Sequence, residues 1–233
     1  MQRFKKGIHD GLPIGLGYLS VSFTFGMIAT ASGLTTLQAT TLSLFNLTSA
    51  GQFAAIQLMG ASAPIFEVFL ATIIINFRYV LMSISLSQKL DKSIRLKEKM
   101  IIAFANTDEI YAVAQSQSEP NHFTYMLGLM TMPIVGWTLG TFLGGTFNSL
   151  LPSSLQSAFS IALYGMFIAI ILPVAKKMKS VTFTIAISVI LSTLFKYVPF
   201  LNFISDGFSI IFCTCIGAAI SATLFPVEVS DNE

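Results

Sequence analysis

Charge is what this chain has least of. Charged residues make up 10 % of its 233 positions, far below the roughly 25 % of a soluble domain. Cysteine and histidine are nearly absent, at two of each. Cys213 and Cys215 stand two apart in an apolar run. They point to different faces and read as small buried side chains, so neither a disulfide nor a thiolate metal pair is expected. His9 and His122 lie in the polar flanks GIHDG and EPNHF and read as solvated. No metal ligand set and no cofactor motif is visible. The chain has no Walker A sequence, which excludes ATP hydrolysis by this polypeptide, and no HExxH or GxSxG. A Gly-x-Gly-Asp motif with a second intramembrane aspartate, as an aspartyl intramembrane protease needs, is missing too. No Arg-rich helix suggests a voltage sensor. The expectation is therefore not an enzyme, and nucleic-acid binding has no support.

What the chain has in abundance is apolar length. Hydrophobic residues make up 54 % and the mean hydropathy is +0.76. Long apolar runs occur near 14–33, 37–60, 64–86, 124–147, 155–174, 180–197 and 203–225, each near the ~20 residues that a helix needs to cross a bilayer. A helix satisfies its own backbone where water is absent, so the fold class is all-α, a polytopic membrane bundle forming a single transmembrane domain over 1–233. The N-terminus imitates a signal peptide, with Arg3, Lys5 and Lys6 before an apolar stretch. That stretch outruns the ~7–15 residues of a signal h-region and contains Pro13, Gly15, Gly17 and Gly26, so it reads as a first transmembrane helix, kinked and able to line a pathway. Asn46-Leu47-Thr48 matches a glycosylation acceptor but lies inside a hydrophobic run and is set aside.

Basic residues orient the bundle. Arg3, Lys5 and Lys6 precede the first run; Lys89, Lys92, Arg95, Lys97 and Lys99 follow the third; Lys176, Lys177 and Lys179 follow the fifth. Cytoplasmic loops carry such an excess, yet if 14–33, 37–60 and 64–86 all cross, the cluster at 89–99 falls outside. The segment 37–60 is the best candidate for not crossing. Between Asn46 and Gln52 it gathers residues that compete for backbone hydrogen bonds. Two half-helices of about eleven residues reach ~16 Å, half a hydrocarbon core. The segment 100–116 is then a second re-entrant or interfacial element. The reading is about six full spans plus 37–60 and 100–116, with both termini cytoplasmic. A rival topology makes both segments full spans, giving eight.

Three charges lie at membrane depth. Arg78, in INFRYVLM, stands near the middle of its span with Asn76, and Asp108 and Glu109 are adjacent in NTDEIY. An Arg at the bilayer centre costs about 2.5–3.5 kcal/mol on insertion scales and faces the bundle interior or a cavity. These groups either staple two elements as an ion pair or contact a charged or zwitterionic solute. Glu67 and Asp206 each open a span, where a carboxylate suits the helix dipole. Gly136, Gly140 and Gly144 form a stripe of four-residue spacing, which lets helix backbones approach in lipid. It meets either another span of this chain or a second polypeptide.

PIGLGYLSVSFTFG, Gly33-Leu34, SAGQFAA at 49–55, NFRYVLM at 76–82 and TDEIYAV at 107–113 occur in that order. In this the chain resembles the AzlC (YgaZ/BrnF-like) family of bacterial branched-chain amino acid export permeases, over roughly residues 7–225. The resemblance implies a large subunit of the inner membrane that exports neutral amino acids such as valine, leucine or isoleucine. It also implies a small hydrophobic membrane partner of the AzlD type. Tyr79 departs from the family pattern, in which His often follows the Arg, so no proton-carrying role attaches to that position.

The residues and the resemblance combine into one expectation. Arg78, or the free N–H groups of a half-helix at Ser49, Gly51 and Gln52, holds a substrate carboxylate. Asp108 or Glu109 meets the ammonium or carries a coupling proton, since neighbouring carboxylates at low dielectric do not both ionise easily. Phe53 and Ile56 meet the branched side chain. The alternatives are a passive channel for a small neutral solute, or a non-transporting scaffold subunit built around the glycine stripe.

Overall fold

The computed structural model describes residues 1–201 and 203–226, apart from a few side chains between 153 and 170. Eleven α-helices are described: α1 (Gln2–Ala31), α2 (Thr36–Phe45), α3 (Ala50–Gly60), α4 (Ile65–Asn76), α5 (Arg78–Lys89), α6 (Leu96–Phe104), α7 (Asp108–Ser116), α8 (Phe123–Phe147), α9 (Ser153–Lys177), α10 (Lys179–Tyr197) and α11 (Asp206–Leu224). Six elements are long enough to cross. Five of them are α1, α4 with α5 as one 25-residue unit, α8, α10 and α11. The sixth is α9, 25 residues long, or about 37 Å at 1.5 Å per residue. This is the all-α polytopic bundle expected.

The axis of the fold is the pair α1 and α8, and glycine is the reason they fit. A Cβ added at Gly7 would strike the backbone of Tyr125 and Leu129, and one at Gly26 would strike Thr141 and Gly145. Low numbers pair with low and high with high, so the two helices run parallel. From the α8 side, Gly136 abuts Gly15, Gly140 abuts Leu19 and Ser22, and Gly144 abuts Phe23. The stripe is covered by α1 of the same chain and is not free for a second polypeptide. Lipid offers little hydrophobic drive between helices, so backbone approach of this kind carries the association. Gly15 and Gly26 thus serve packing, and α1 runs from Gln2 to Ala31 with Pro13 inside it.

The two short-helix segments are hairpins that enter from opposite ends. Thr36 packs against Gly145 near the end of α8, and Gly60 lies beside Ser32 near the end of α1. The pair α2–α3 therefore starts and finishes at one end of the bundle, and turns at 46–49 where Ser49 takes a positive φ of 42°. At the other end, α6 runs back along α5, with Asn106 Nδ2 donating to Ser83 Oγ at 3.0 Å. Then α7 returns, with Lys6 Nζ donating to Gln117 Oε1 at 2.8 Å and Asn121 N–H donating to the Lys89 carbonyl at 2.9 Å. Each hairpin is re-entrant. The tips, 46–49 and 105–107, meet at mid-depth around Tyr79.

All three basic clusters share one end, here the basic end. Arg3 and Lys6 line a groove with Gln117 and His122. Helix α9 runs antiparallel to α1, with the Phe23 and Phe159 rings 5.2 Å apart, which returns Lys176, Lys177 and Lys179 to the level of Arg3. Thr184 Oγ1 meets Ser221 Oγ at 2.6 Å, so α11 also finishes there.

Two local expectations need correction. Glu67 is 3 % exposed and serves a neighbouring helix: its Oε1 accepts from Ser205 Oγ at 2.6 Å and from Gly207 N at 2.8 Å. It thereby satisfies the amino end of α11, a role that sequence separation hid. Cys213 is half-buried and Cys215 exposed, because α11 packs on α4 and α10 by one face only.

Candidate functional site

Between α1, the two hairpin tips and α5 lies a cavity of about 540 Å³. Its polar wall is built by broken helices. The unit α4–α5 is interrupted at Phe77, so Arg78 opens α5 at the midpoint of the span. Helix α7 begins at Asp108, after an N-cap, Thr107, that makes no side-chain cap bond. Helix α3 begins just after Ser49. The cavity is lined by Ser49 and Ala50 at the start of α3, by Thr107, Asp108 and Glu109 at the start of α7, and by Arg78 and Tyr79 from α5. The starts of α3 and α7 each add about half a positive charge and N–H groups without helical partners.

Arg78 Nη1 is ion-paired with Asp108 Oδ2. Its Nη2 donates to Tyr79 Oη at 3.2 Å, and the guanidinium sits 4.8 Å from the centre of the Tyr79 ring. The Arg78 and Asp108 side chains are 41 % and 47 % exposed. A staple sealed between helices would be hidden, whereas this pair can be reached. Glu109 has a different environment. Its Oε2 is bonded to the Tyr18 hydroxyl, which also lies 2.7 Å from Thr107 Oγ1. No cation pairs with Glu109 among the described residues. Two carboxylates thus face one guanidinium, and the cavity has one negative charge in excess when both are ionised.

Apart from Ser20, the rest of the wall is largely apolar. Ile14 and Val21 come from α1, Leu47 from the hairpin tip, Trp137 from α8 and Ile171 from α9. Trp137 is fixed from behind, since its Nε1 donates to Gln52 Oε1 at 2.9 Å and its ring lies edge-on to Tyr18 at 5.3 Å. Gly17 faces the open space: a Cβ there would meet nothing within 4 Å.

The structure therefore brings together Arg78, Asp108, Glu109 and Ser49 of the residues singled out in the sequence. Asn76, Gly51 and Gln52 lie behind the wall. The Asn76 amide packs on Gly51, and the fully buried Gln52 ties Trp137 to Ser43. Phe53 and Ile56, expected to meet a substrate side chain, are in the hydrophobic core instead. Tyr18, Leu47, Trp137 and Ile171 were not foreseen. Tyr18 and the single Trp137 did carry a signal, because each places a polar handle in the middle of an apolar run.

Comparison with known proteins matches the family described as AzlC protein over residues 13–151, a stretch that holds every cavity residue named above except Ile171. An Archaeoglobus fulgidus protein named as an uncharacterized membrane protein is 33 % identical over 172 residues, covering 73 % of this chain and 75 % of the relative. The Escherichia coli inner membrane protein YgaZ is 26 % identical over 191 residues, covering 79 % and 78 %. A membrane protein of Helicobacter pylori is 31 % identical over 160 residues, covering 64 % and 68 %. No solved structure matches.

Proposed function

The chain belongs to the AzlC family, and from that premise we propose that it is the large subunit of a permease exporting branched-chain or other neutral amino acids. The observation that carries this reading is the unbalanced carboxylate: Glu109 and Asp108 share a cavity with one guanidinium. A zwitterion with an apolar side chain complements such a cavity. Its carboxylate sits toward Arg78 and the amino end of α3, where dipole and N–H groups converge. Its ammonium sits against Glu109, held by Tyr18, and its side chain lies among Ile14, Val21 and Ile171. On this reading export is secondary transport coupled to protons.

On this reading the basic end is cytoplasmic, both described termini lie inside, and the membrane is the bacterial inner membrane. The outward faces of α9, α10 and α11 remain for lipid and for a small hydrophobic AzlD-type subunit. The test is efflux of labelled valine from loaded cells that express the chain with its partner. Export is lost in the Asp108→Asn, Glu109→Gln double variant at unchanged membrane abundance. Wild-type efflux from that variant would remove the proposal. A passive channel is distinguished in the same assay, since its flux neither saturates nor responds to a protonophore.

A further inference from the structure

A second, smaller cavity lies on the other side of the hairpin tips, and its chemistry is opposite to that of the first. It measures about 220 Å³ and is lined by Phe45, Asn46, Thr48, Tyr79, Asn106 and Thr107 among others. The larger cavity meets the amino ends of α3 and α7. This one meets the carboxyl ends of α2 and α6, at Phe45 and Phe104. Helix α2 stops as Asn46 turns to extended backbone, with no cap bond to its last carbonyls. Carboxyl ends carry about half a negative charge each; at α6 two of the last carbonyls, Ile102 and Ala103, are met by the Ala105 and Asn106 N–H groups, so the open carbonyls are chiefly those of α2.

The side chains add oxygen without partners. Thr48 Oγ1 and Asn106 Oδ1 are buried and accept no hydrogen bond from the protein. Asn106 is 3 % exposed, and its Nδ2 is committed to Ser83, which does not line this cavity; its oxygen is therefore the end left over. Thr48 Oγ1 lies against Gly51 beside the Asn76 amide, whose Oδ1 is unpartnered as well. Native structures rarely leave such groups unmet, and with Thr48 and Asn106 both lining one cavity they call for an occupant that offers positive charge or protons.

We propose that this cavity is a binding site for a small monovalent cation of the sodium type, held by Thr48 Oγ1, Asn106 Oδ1 and the terminal carbonyls of α2. Neutral oxygens alone suit one positive charge, whereas hard divalent ions draw on carboxylates. None of the described residues lining the cavity is an Asp or Glu. Arg78 lies beyond Tyr79, whose hydroxyl donates to the Thr48 carbonyl at 3.4 Å, and Asp108 meets its charge. Leu47, Tyr79 and Thr107 line both cavities, so the ion would rest against the wall of the solute site. Unwound carbonyls and half-helix ends are a general device for ions in secondary transporters. The site stands apart from the choice of amino acid, and it adds an ion to a reading that otherwise uses protons alone.

The experiment measures thermal unfolding and Trp137 fluorescence of the purified protein in NaCl, KCl or choline chloride at constant ionic strength. No amino acid is added, so failure of the export reading leaves the result intact. Sodium or potassium should raise the midpoint saturably over choline. Thr48→Val, close to isosteric, and Asn106→Ala should each weaken half-saturation by roughly tenfold or more, the scale on which losing even an outer-shell partner moves metal affinity. Asn106→Asp, which adds a carboxylate, should tighten it. Equal midpoints in all three salts, as a merely water-filled cavity gives, would overturn the proposal. So would a response confined to divalent ions, or one unchanged in Thr48→Val and Asn106→Asp.

Discussion

Neutralising Arg78 and Asp108 together separates a structural staple from a solute contact. If the pair only holds α5 to α7, then Arg78→Gln and Asp108→Asn each leave an uncompensated charge, and the double variant, neutral again, recovers. The structure argues otherwise. With 41 % and 47 % of the side chains exposed, the pair resembles a solvated surface bridge, worth about 0–1 kcal/mol. A dehydrated pair would cost about 3–5 kcal/mol when one partner is removed. For a chain of this size 1 kcal/mol moves the unfolding midpoint by about 2–4 °C. The coupling in a double-mutant cycle should therefore be no more than a few degrees. Efflux is expected to fall at least roughly tenfold in all three variants, a loss of about 1.4 kcal/mol. The assay is melting in detergent beside valine efflux from loaded cells. A coupling near ~3 kcal/mol, or a double variant that is folded and exports normally, would refute the argument.

Further consequences follow from packing. Gly17→Leu should fold normally, because a Cβ there meets nothing within 4 Å, yet block the cavity and abolish efflux. Gly136→Leu should fail to accumulate as folded protein, since its Cβ strikes the Gly15 backbone; normal melting of this variant would contradict the close α1–α8 approach. Glu67→Ala should lower stability by about 1–3 kcal/mol, because it leaves the amino end of α11 without its acceptor. Glu67→Gln retains a carbonyl and should stay near wild type in melting. In a background without Cys213 and Cys215, Lys97→Cys should react with an impermeant thiol reagent from the cytoplasm and Ala61→Cys from outside; the reverse pattern would invert the proposed orientation.

The break at Asn46–Gln52 was legible because polar and small residues in an apolar run weaken a helix wherever they occur. The charges Arg78, Asp108 and Glu109 were legible for a similar reason: their cost at membrane depth is a property of each residue alone. Pairings across the sequence were another matter. Nothing in the spacing says that Tyr18 meets Glu109, 91 positions away. Equally, Gln52 gives no sign that it supports Trp137 rather than facing a solute. Glu67 illustrates the limit well. Its first-turn position suggested service to its own helix dipole, while the structure spends both bonds of its Oε1 on residues near 205. Composition reports the cost of a polar group at depth, and only tertiary packing determines which partner offsets it.

The two hairpins explain how so few charges can suffice. Because α2–α3 and α6–α7 enter from opposite ends and stop at mid-depth, four helix ends come to rest inside the bundle, away from its surfaces. The amino ends gather on the side of Arg78 and the carboxyl ends on the side of Asn46 and Asn106. Backbone dipoles thus polarise the tip region before any side chain is counted. A continuous helix in either place would carry its ends to the headgroups and leave Arg78 to be solvated by side chains alone. Filling the break with helix-forming residues, as in Asn46→Leu with Ser49→Ala, should therefore disable transport even though every charged residue is kept. Ser49 is forced to a positive φ by the turn, a region that costs a non-glycine residue of order 1 kcal/mol. That strain is maintained by the surrounding packing, and relieving it with Ser49→Gly should stabilise the folded protein without loss of export. If Ser49→Gly instead lowered the melting midpoint, the tip would owe its shape to the serine side chain, and the dipole argument would lose its geometric basis.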